Sequence, residues 1–518
     1  MPGRKADGCH QPFSKRGYLP CVPGSPAVAR LFRSEVVVFV VAVCCRAAVI
    51  LRSGGLQGAT GYDAAVYFAA SDALTHGRLP YRDFVFLHPP SLVLALTPFA
   101  WVTRFASDQT AFMVANLSVT VVGGLSAVLV VRICRGLCFG RSAALAGGLF
   151  YATWFGTVGA EYHTKLEPLG NLLFLAAGLL AITAQRGDPR WLSVAAGAAL
   201  GLTLCVKIWW ILPVLGVIVW HAVVQRRARA AVPVLAGAVG TAVLVCLPFF
   251  IAAPLQMWNS VIVDQLGRGR RMNPLPRVGD LSTLTRLDGY LPRPALAVGV
   301  LIAAALFLLV VVRAWRARAA RPVVVLLLVQ LAVLLSAPSW FPYYCDYLAG
   351  ALSITVAAAA TRTSRRGRLV TGGVGGWLPT CAAATVTLVV LVAGTAAVPP
   401  LPGAARLSRA VANVRCVMSD SPMGLIELNA LSRGLANGCP NWIDVTGRTY
   451  GPDRSPEGRS RAQNHRWQRD LTRYLRSGDA VIIVRGHGTG VSKRTQAAIS
   501  RDGVLAHDAG QTVYRVEH

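Results

Sequence analysis

Long apolar runs broken by short arginine-rich loops constrain this chain more than any other feature. The loops read RICRGLCFGR (132–141), QRGDPR (185–190), QRRAR (225–229), RAWRARAAR (313–321) and TRTSRRGR (361–368). A spanning helix needs about 20 apolar residues, and arginine and lysine collect on the cytoplasmic side of short loops. Placing every one of these loops inside gives eleven spans, near 35–51, 110–131, 142–159, 168–184, 191–206, 208–224, 231–251, 294–312, 322–337, 346–361 and 377–397. Composition agrees: 14% of residues are charged, against about 25% in soluble domains. The expected fold is an all-α polytopic membrane protein of about eleven transmembrane helices with a small C-terminal extracytoplasmic α/β domain. The net charge of +29 arises mainly in these loops and in the C-terminal region. It therefore reads as membrane orientation, and no nucleic-acid partner is expected.

Three regions follow. Residues 1–34 form a basic cytoplasmic N-terminus. The apolar run from Val36 reads as a retained first span, because more than thirty residues precede it and no small-residue cleavage site is evident. Residues 35–400 form the transmembrane domain, with a first outer loop at 52–109. In that loop SLVLALTPFAWV (91–102), short and framed by proline, reads as an interfacial or re-entrant helix on the outer side. Residues 401–518 lose the long apolar runs. DAVIIVRG (479–486) reads as a buried strand, HRWQRDLTRYLRS and SKRTQAAISRDG as flanking helices, QTVYRVEH as a closing strand and GHGTG (486–490) as a turn. This region is placed outside, since long domains translocate largely regardless of charge. Cys416 and Cys439 are its only cysteines and are expected to form a disulfide there. Cys44, Cys45, Cys205, Cys246 and Cys381 sit in apolar runs and read as packing residues.

With this orientation the unusual polar residues gather on the outer face. The first loop brings Asp63, Asp83 and His88; the second brings Glu161, His163, Lys165 and Glu167. Lys207 precedes Trp209 and Trp210 in the third. The fourth carries Asp264, Arg268, Arg270 and Arg271, and the fifth Trp340, Tyr343, Tyr344 and Asp346. The chain has 23 acidic residues and five lysines, two of which lie at this rim. Ionisable groups at membrane depth are costly and usually line a functional cavity. Each also has a plain reading. Asp63 caps a helix starting at Ala64, Asp72 lies on a solvated helix face, and Asp83 pairs with Arg82. His88-Pro89-Pro90 makes a turn, Lys165 and Lys207 snorkel, and the aromatics form an interfacial belt. Convergence on one face favours a site. A carboxylate takes a proton from a hydroxyl, Lys and Arg stabilise a departing phosphate, and an aromatic groove accepts an isoprenoid tail. Those are the parts that sugar transfer from a lipid phosphate requires, and neither a dinucleotide fingerprint nor a P-loop is present.

At this point the motifs resemble a family. YDAAVY (62–67), GRLPYRDF (77–84) and HPPSL (88–92) are similar to the first outer loop of GT-C integral membrane glycosyltransferases, in the branch of protein O-mannosyltransferases and aminoarabinose transferases. EYHTKLEP (161–168), GLTLCVKIWWILP (201–213) and WFPYYCDY (340–347) resemble later segments of such enzymes, over about residues 35–400. Two departures stand out: Ala64 follows Asp63 where a second acid is usual, and His88 replaces a lysine before Pro-Pro. The resemblance implies Asp63 as general base, with Glu161 or Glu167 as a second acidic residue. It implies substrate contacts from Tyr67, Asp83, His88, His163, Lys165, Lys207, Arg268, Arg271, Tyr343 and Tyr344. The implied reaction moves a sugar, mannose first and arabinose second, from a polyprenyl-phosphate donor to an extracytoplasmic glycan, glycolipid or protein, with inversion. Many relatives use a divalent cation, although the sequence has no metal-ligand spacing. The arginine bias suggests a GC-rich, actinobacterial genome. The alternatives are a transporter or flippase for a lipid-linked glycan, for which no internal repeat is seen, and an assembly protein with an outer sensor domain.

Overall fold

A computed structural model of the chain describes residues 28–53, 61–185, 190–268, 274–363, 369–370, 377–393, 400–449 and 460–517. The principal helices of the first 400 residues are α1 (Val28–Arg52), α2 (Tyr62–Thr75), α3 (Ser91–Ala100), α4 (Asp108–Gly136), α5 (Arg141–Thr153), α6 (Leu166–Ala184), α7 (Trp191–Leu204), α8 (Ile211–Val224), α9 (Ala231–Ala252), α10 (Arg293–Trp315), α11 (Arg321–Ser336), α12 (Ala349–Ala359) and α13 (Leu378–Ala393). Each expected span contains one of them. Among the described residues six helices are long and apolar enough to cross a membrane, namely α1, α4, α6, α9, α10 and α11 with their short extensions. The others are shorter: α5 ends where Trp154 adopts an extended conformation, and α12 is preceded by a 3-10 segment, Pro342–Leu348.

Burial separates the helices by role. The most apolar windows of α4 and α6 are 56% buried, whereas that of α10 is 6% buried and its apolar residues face outward. Because lipid is as apolar as leucine, spanning helices associate through close packing of small residues. The α7–α9 contact follows that rule. A Cβ added to Gly197 would overlap the Val234 carbonyl, one on Gly201 the Ala238 carbonyl, and one on Gly237 the Val194 carbonyl. Helix α3 lies against α2 and α4. Its Ser91 N–H donates to Cys205 O (2.9 Å) at the end of α7, while Trp101 just beyond it is exposed.

The C-terminal region is a four-stranded sheet of β1 (Val417–Ser419), β2 (Ala480–Ile482), β3 (Val504–Asp508) and β4 (Gln511–Arg515), in the order β1-β2-β4-β3. β1 and β2 run parallel, and the other pairs are antiparallel. The β3–β4 hairpin turns at Ala509 and Gly510, both with positive φ, the backbone that a two-residue turn between twisted strands demands. Helices α14 (His465–Leu475) and α15 (Lys493–Ser500) cover one face, burying Trp467, Leu471 and Ile499 with Met418 and Val481. On the other face Val417, Ile482 and Val513 share a core with Phe68 of α2 and with Leu425, Ile426 and Leu431. The two expected strands and both helices are present. β1 and β3 lie outside the strands that the sequence marks: β1 has three residues, and no residue of β3 is fully buried, so it lacks a clear alternation. Cys416 and Cys439 are disulfide-bonded with a Cα–Cα separation of 5.7 Å.

The carbonyl contacts of α7 and α9 make a direct test. Gly197→Leu is expected to cost about 1–3 kcal/mol through overpacking and to lower the melting temperature in detergent. Gly240→Leu, on the same helix as Gly237 but with nothing within 4 Å, is expected to leave it nearly unchanged.

Candidate active site

The site begins at the first turn of α2. Gly61 precedes the helix with φ 85°, and the N-cap position makes no side-chain bond, so Asp63 does not cap the helix. Its carboxylate instead meets two other segments. Lys165 Nζ, from the extended residue before α6, donates to Asp63 Oδ2 at 3.0 Å. The Tyr343 hydroxyl donates to the same oxygen at 2.5 Å, and the Lys165 ammonium lies 4.0 Å from the Tyr343 ring centre. Burial alone would raise the Asp63 carboxyl, but the Lys165 ammonium and the Tyr343 hydroxyl together hold it well below the usual carboxylate range. Asp63 is therefore ionised at neutral pH.

Beside this unit stands a second of the same composition. Glu167, in the first turn of α6, accepts from Lys207 Nζ at 2.7 Å. That ammonium lies 3.5 Å from the Trp209 ring centre and 3.9 Å from that of Tyr344. Burial pushes the Lys207 ammonium down despite Glu167. Each lysine thus has one carboxylate and one tyrosine ring, and the two rings belong to consecutive residues packed edge to face at 4.9 Å. Lys165, Glu167 and Lys207 are all buried. Cations over aromatic faces are stabilised further when desolvated.

His88 stands close by, its ring 5.9 Å from Tyr67 and 6.1 Å from Phe86. Burial, with the charges of Lys207 and Arg268, holds its imidazole well below the usual range, and only Asp63 opposes them. His88 is therefore neutral where the resembled motif has a lysine. His163 is buried against Tyr162 and kept neutral by burial and Lys165. Arg268 donates to Ser339 Oγ at 3.5 Å and acts electrostatically on His88, Lys207 and Tyr344. Asp63, Tyr67, His88, His163, Lys165, Glu167, Lys207, Arg268, Tyr343 and Tyr344 are thus brought into one neighbourhood. Arg271 lies outside the described residues.

Two candidates are engaged elsewhere. Asp83 takes both guanidinium bonds of Arg82 (3.0 and 2.8 Å) and the Leu79 N–H, as in its plain local reading. Glu161 is fully buried against Arg46 of α1, whose Nε donates at 2.9 Å, and the Tyr151 hydroxyl donates to its other oxygen at 2.6 Å. A Cβ on Gly123 would overlap both members of this ion pair. The solvated reading of Asp72 is overturned: it is fully buried, bonded by Thr103 and Thr75, and burial pushes its carboxyl up to about 7.

The C-terminal region adds residues that no motif marked. Tyr62, next to Asp63, donates to Asp444 Oδ1 (2.9 Å) and accepts from the Thr446 N–H (2.9 Å). Gly447 N–H also donates to Asp444 Oδ1, and the Arg485 guanidinium lies 4.6 Å from the Tyr62 ring centre. Asp346 is fully buried, and neither carboxylate oxygen has a hydrogen-bond partner among the described residues.

The donor set suits an anion better than a cation. Asp63 and Glu167 are each already neutralised by a lysine, and Arg268 adds positive charge. No group of three or more His, Cys, Asp or Glu positioned to hold a metal occurs among the described residues. Among the described residues the site offers no fit for the divalent cation that many of the resembled enzymes use.

Removing one partner of a buried ion pair strands the other charge at a cost of about 3–5 kcal/mol. Arg46→Ala is expected to destabilise the detergent-solubilised protein on that scale, and Arg46→Met with Glu161→Gln is expected to recover most of the loss. Thermal unfolding of the three proteins measures both effects.

Residues 86–336 match the model of glycosyltransferase family 87. No curated protein matches the chain. Among solved structures, ArnT from Cupriavidus metallidurans in the apo state is similar at a TM-score of 0.58 and 15% identity, covering 95% of this chain and 98% of that one. The same enzyme bound to undecaprenyl phosphate gives the same values. The archaeal oligosaccharyltransferase AglB from Archaeoglobus fulgidus, in complex with an inhibitory peptide and a dolichol-phosphate, is similar at 0.53 and 12% identity, covering 91% of this chain and 72% of that one. At these identities the likeness establishes the fold. The fold is thus GT-C-like, as in ArnT, and residues 86–336 within it are similar to glycosyltransferase family 87.

Proposed function

We propose that the chain transfers a sugar from a polyprenyl-phosphate donor to a hydroxyl of an extracytoplasmic glycan, glycolipid or protein, with mannose the first candidate sugar and arabinose the second. The observation that carries this reading is the pair of adjoining lysine–carboxylate units, Asp63–Lys165 and Glu167–Lys207. Two structural neighbours hold polyprenyl phosphates, undecaprenyl phosphate in ArnT and dolichol-phosphate in AglB. The rim that carries the site and the C-terminal region faces outward in this reading, and the N-terminus faces the cytoplasm.

The roles follow from charge. Lys207 and Arg268 receive the donor phosphate and stabilise the charge that grows as the bond from the anomeric carbon to phosphate breaks. Lys165 exchanges Asp63 for the incoming phosphate, which frees the carboxylate and raises its basicity. The acceptor oxygen attacks the opposite face of the anomeric carbon, its proton passes to Asp63, and the polyprenyl phosphate leaves, so one displacement inverts the carbon. The paired carboxylate is a weak base before the donor arrives, a gate against untimely proton abstraction. Neutral His88, with Tyr67 and Phe86, supplies a hydrogen-bonding and stacking wall in place of a third cation.

Membranes containing the wild type are expected to move label from polyprenyl-phosphate mannose, or next from the arabinose donor, to a glycolipid acceptor. Asp63→Asn at matched expression is expected to slow transfer by about 10²–10⁴-fold, the usual worth of a general base; equal transfer by both proteins would remove Asp63 from that role. The pH profile tests the ion pair. A carboxyl with a depressed pKa is ionised above that pKa, and activity is lost as pH falls through it. The acid limb of kcat/KM in the wild type is therefore expected below the ordinary value of about 3.9. In Lys165→Met the ammonium is gone and burial remains, so the limb of the residual activity is expected to move upward.

A further inference from the structure

The α7–α9 contact ends in two cysteines. Gly197, Gly201 and Cys205 recur at four-residue intervals along one face of α7 and its last turn, opposite Val234, Ala238, Ala242 and Cys246 of α9. The glycines bring the two backbones to the carbonyl–Cβ limit, so the next pair along the seam needs no long side chain to meet. Cys205 Sγ lies 3.9 Å from the Ala242 carbonyl and 3.5 Å from Cys246 Sγ. Eight cysteines in the described residues are free, and the sulfurs of these two are in contact. Cys205 is buried. Cys246 is half-buried and lines an apolar groove between α8 and α9, with Ile211, Leu215, Val239 and Phe250.

We infer that Cys205 and Cys246 form an oxidisable dithiol, a modification site whose co-reactant is a small apolar disulfide reaching it through that groove. A disulfide has its sulfurs about 2.05 Å apart, so the pair must close by about 1.5 Å. Exchange proceeds in two balanced steps. The Cys246 thiolate attacks one sulfur of the small disulfide, forming a mixed disulfide and releasing one small thiolate. The Cys205 thiolate then attacks Cys246 Sγ, forming the protein disulfide and releasing the second. The two cysteine protons end on the two released thiols, so the protein loses two electrons and the small disulfide gains them.

The bond would join α7 to α9 at the end that leads into Lys207, two residues beyond Cys205. Ser91 N–H already holds the Cys205 carbonyl, so the cross-link would fix a backbone point shared by α3, α7 and the segment entering the site. The inference stands on the helix seam and the sulfur contact, whatever reaction the site performs.

The test uses the full-length protein in membranes treated with 2,2′-dipyridyl disulfide, then alkylated, digested with trypsin and analysed by mass spectrometry. The expected product is peptide 191–207 joined to peptide 230–268 through Cys205 and Cys246, reversible by reductant. Recovery of the joined peptides before treatment also supports the pair. Cys205→Ser is expected to retain a pyridyl adduct on Cys246, because the second step has no attacking sulfur. Separate adducts on the two cysteines of the wild type, or recovery of both as free thiols after treatment, would overturn the inference.

Discussion

Charge placed at the edge of a hydrocarbon layer has to be paired, and three ion pairs meet that demand: Asp63 with Lys165, Glu167 with Lys207 and Glu161 with Arg46. Their members come from the first turn of α2, the entry to α6, the α7–α8 junction, the α5–α6 connection and the middle of α1. Such pairs gain little net stability over well-packed apolar residues, yet losing one partner is expensive. They therefore act by excluding alternatives. A shift of the 161–167 segment against α1, α2 or the α7–α8 junction would leave a buried charge without its counterion.

The chemistry of the pairs differs. Glu161 takes an arginine and a tyrosine and is enclosed, an arrangement suited to holding α1 against the α5–α6 connection. The other two pairs use lysine, in a chain whose 52 basic residues include only five lysines. A guanidinium grips a carboxylate through a flat fork, whereas an ammonium is a compact point charge on a flexible stem. Lysine can leave one anion for another with little rearrangement. Two lysines, each set over a tyrosine ring and each bonded to one carboxylate, make a cradle whose charges are balanced at rest and available to an incoming phosphate.

Much of this was legible in the residues. Apolar runs ending in arginine loops located the helices, six of them long and apolar enough to cross a membrane among the described residues, and the scarcity of lysine and acid elsewhere pointed to Asp63, Lys165, Glu167 and Lys207. What escaped notice depends on partners distant in sequence. Asp72 looks like a solvated helical residue until Thr103 and the C-terminal region cover it. Glu161 reads as a second acid of the site, but its counterion was visible: Arg46 stands within the first apolar run (VAVCCRAAVI), and a charge there requires a partner. Asp444 carries no motif, because its part is set by Tyr62 on a helix 382 residues away in sequence. The short strands β1 and β3 exist through pairing with β2 and β4, a tertiary cause that no local pattern records.

The link between Tyr62 and Asp444 gives the C-terminal region a physical bearing on the site. A helix frays at its ends, and the first turn of α2, which carries Asp63, has no side-chain cap. It is instead held from outside: the Tyr62 hydroxyl is bonded to Asp444 and Thr446, and its ring is covered by Arg485. Arg485 is placed in turn by Asp420, which accepts the N–H groups of Val484, Arg485 and Gly486. At its other end α2 is tied down by Ser71, whose hydroxyl donates to Val93 of α3. Asp63 thus sits on a segment held between the neighbouring helices and the C-terminal region, and the orientation of its carboxylate toward Lys165 depends on both.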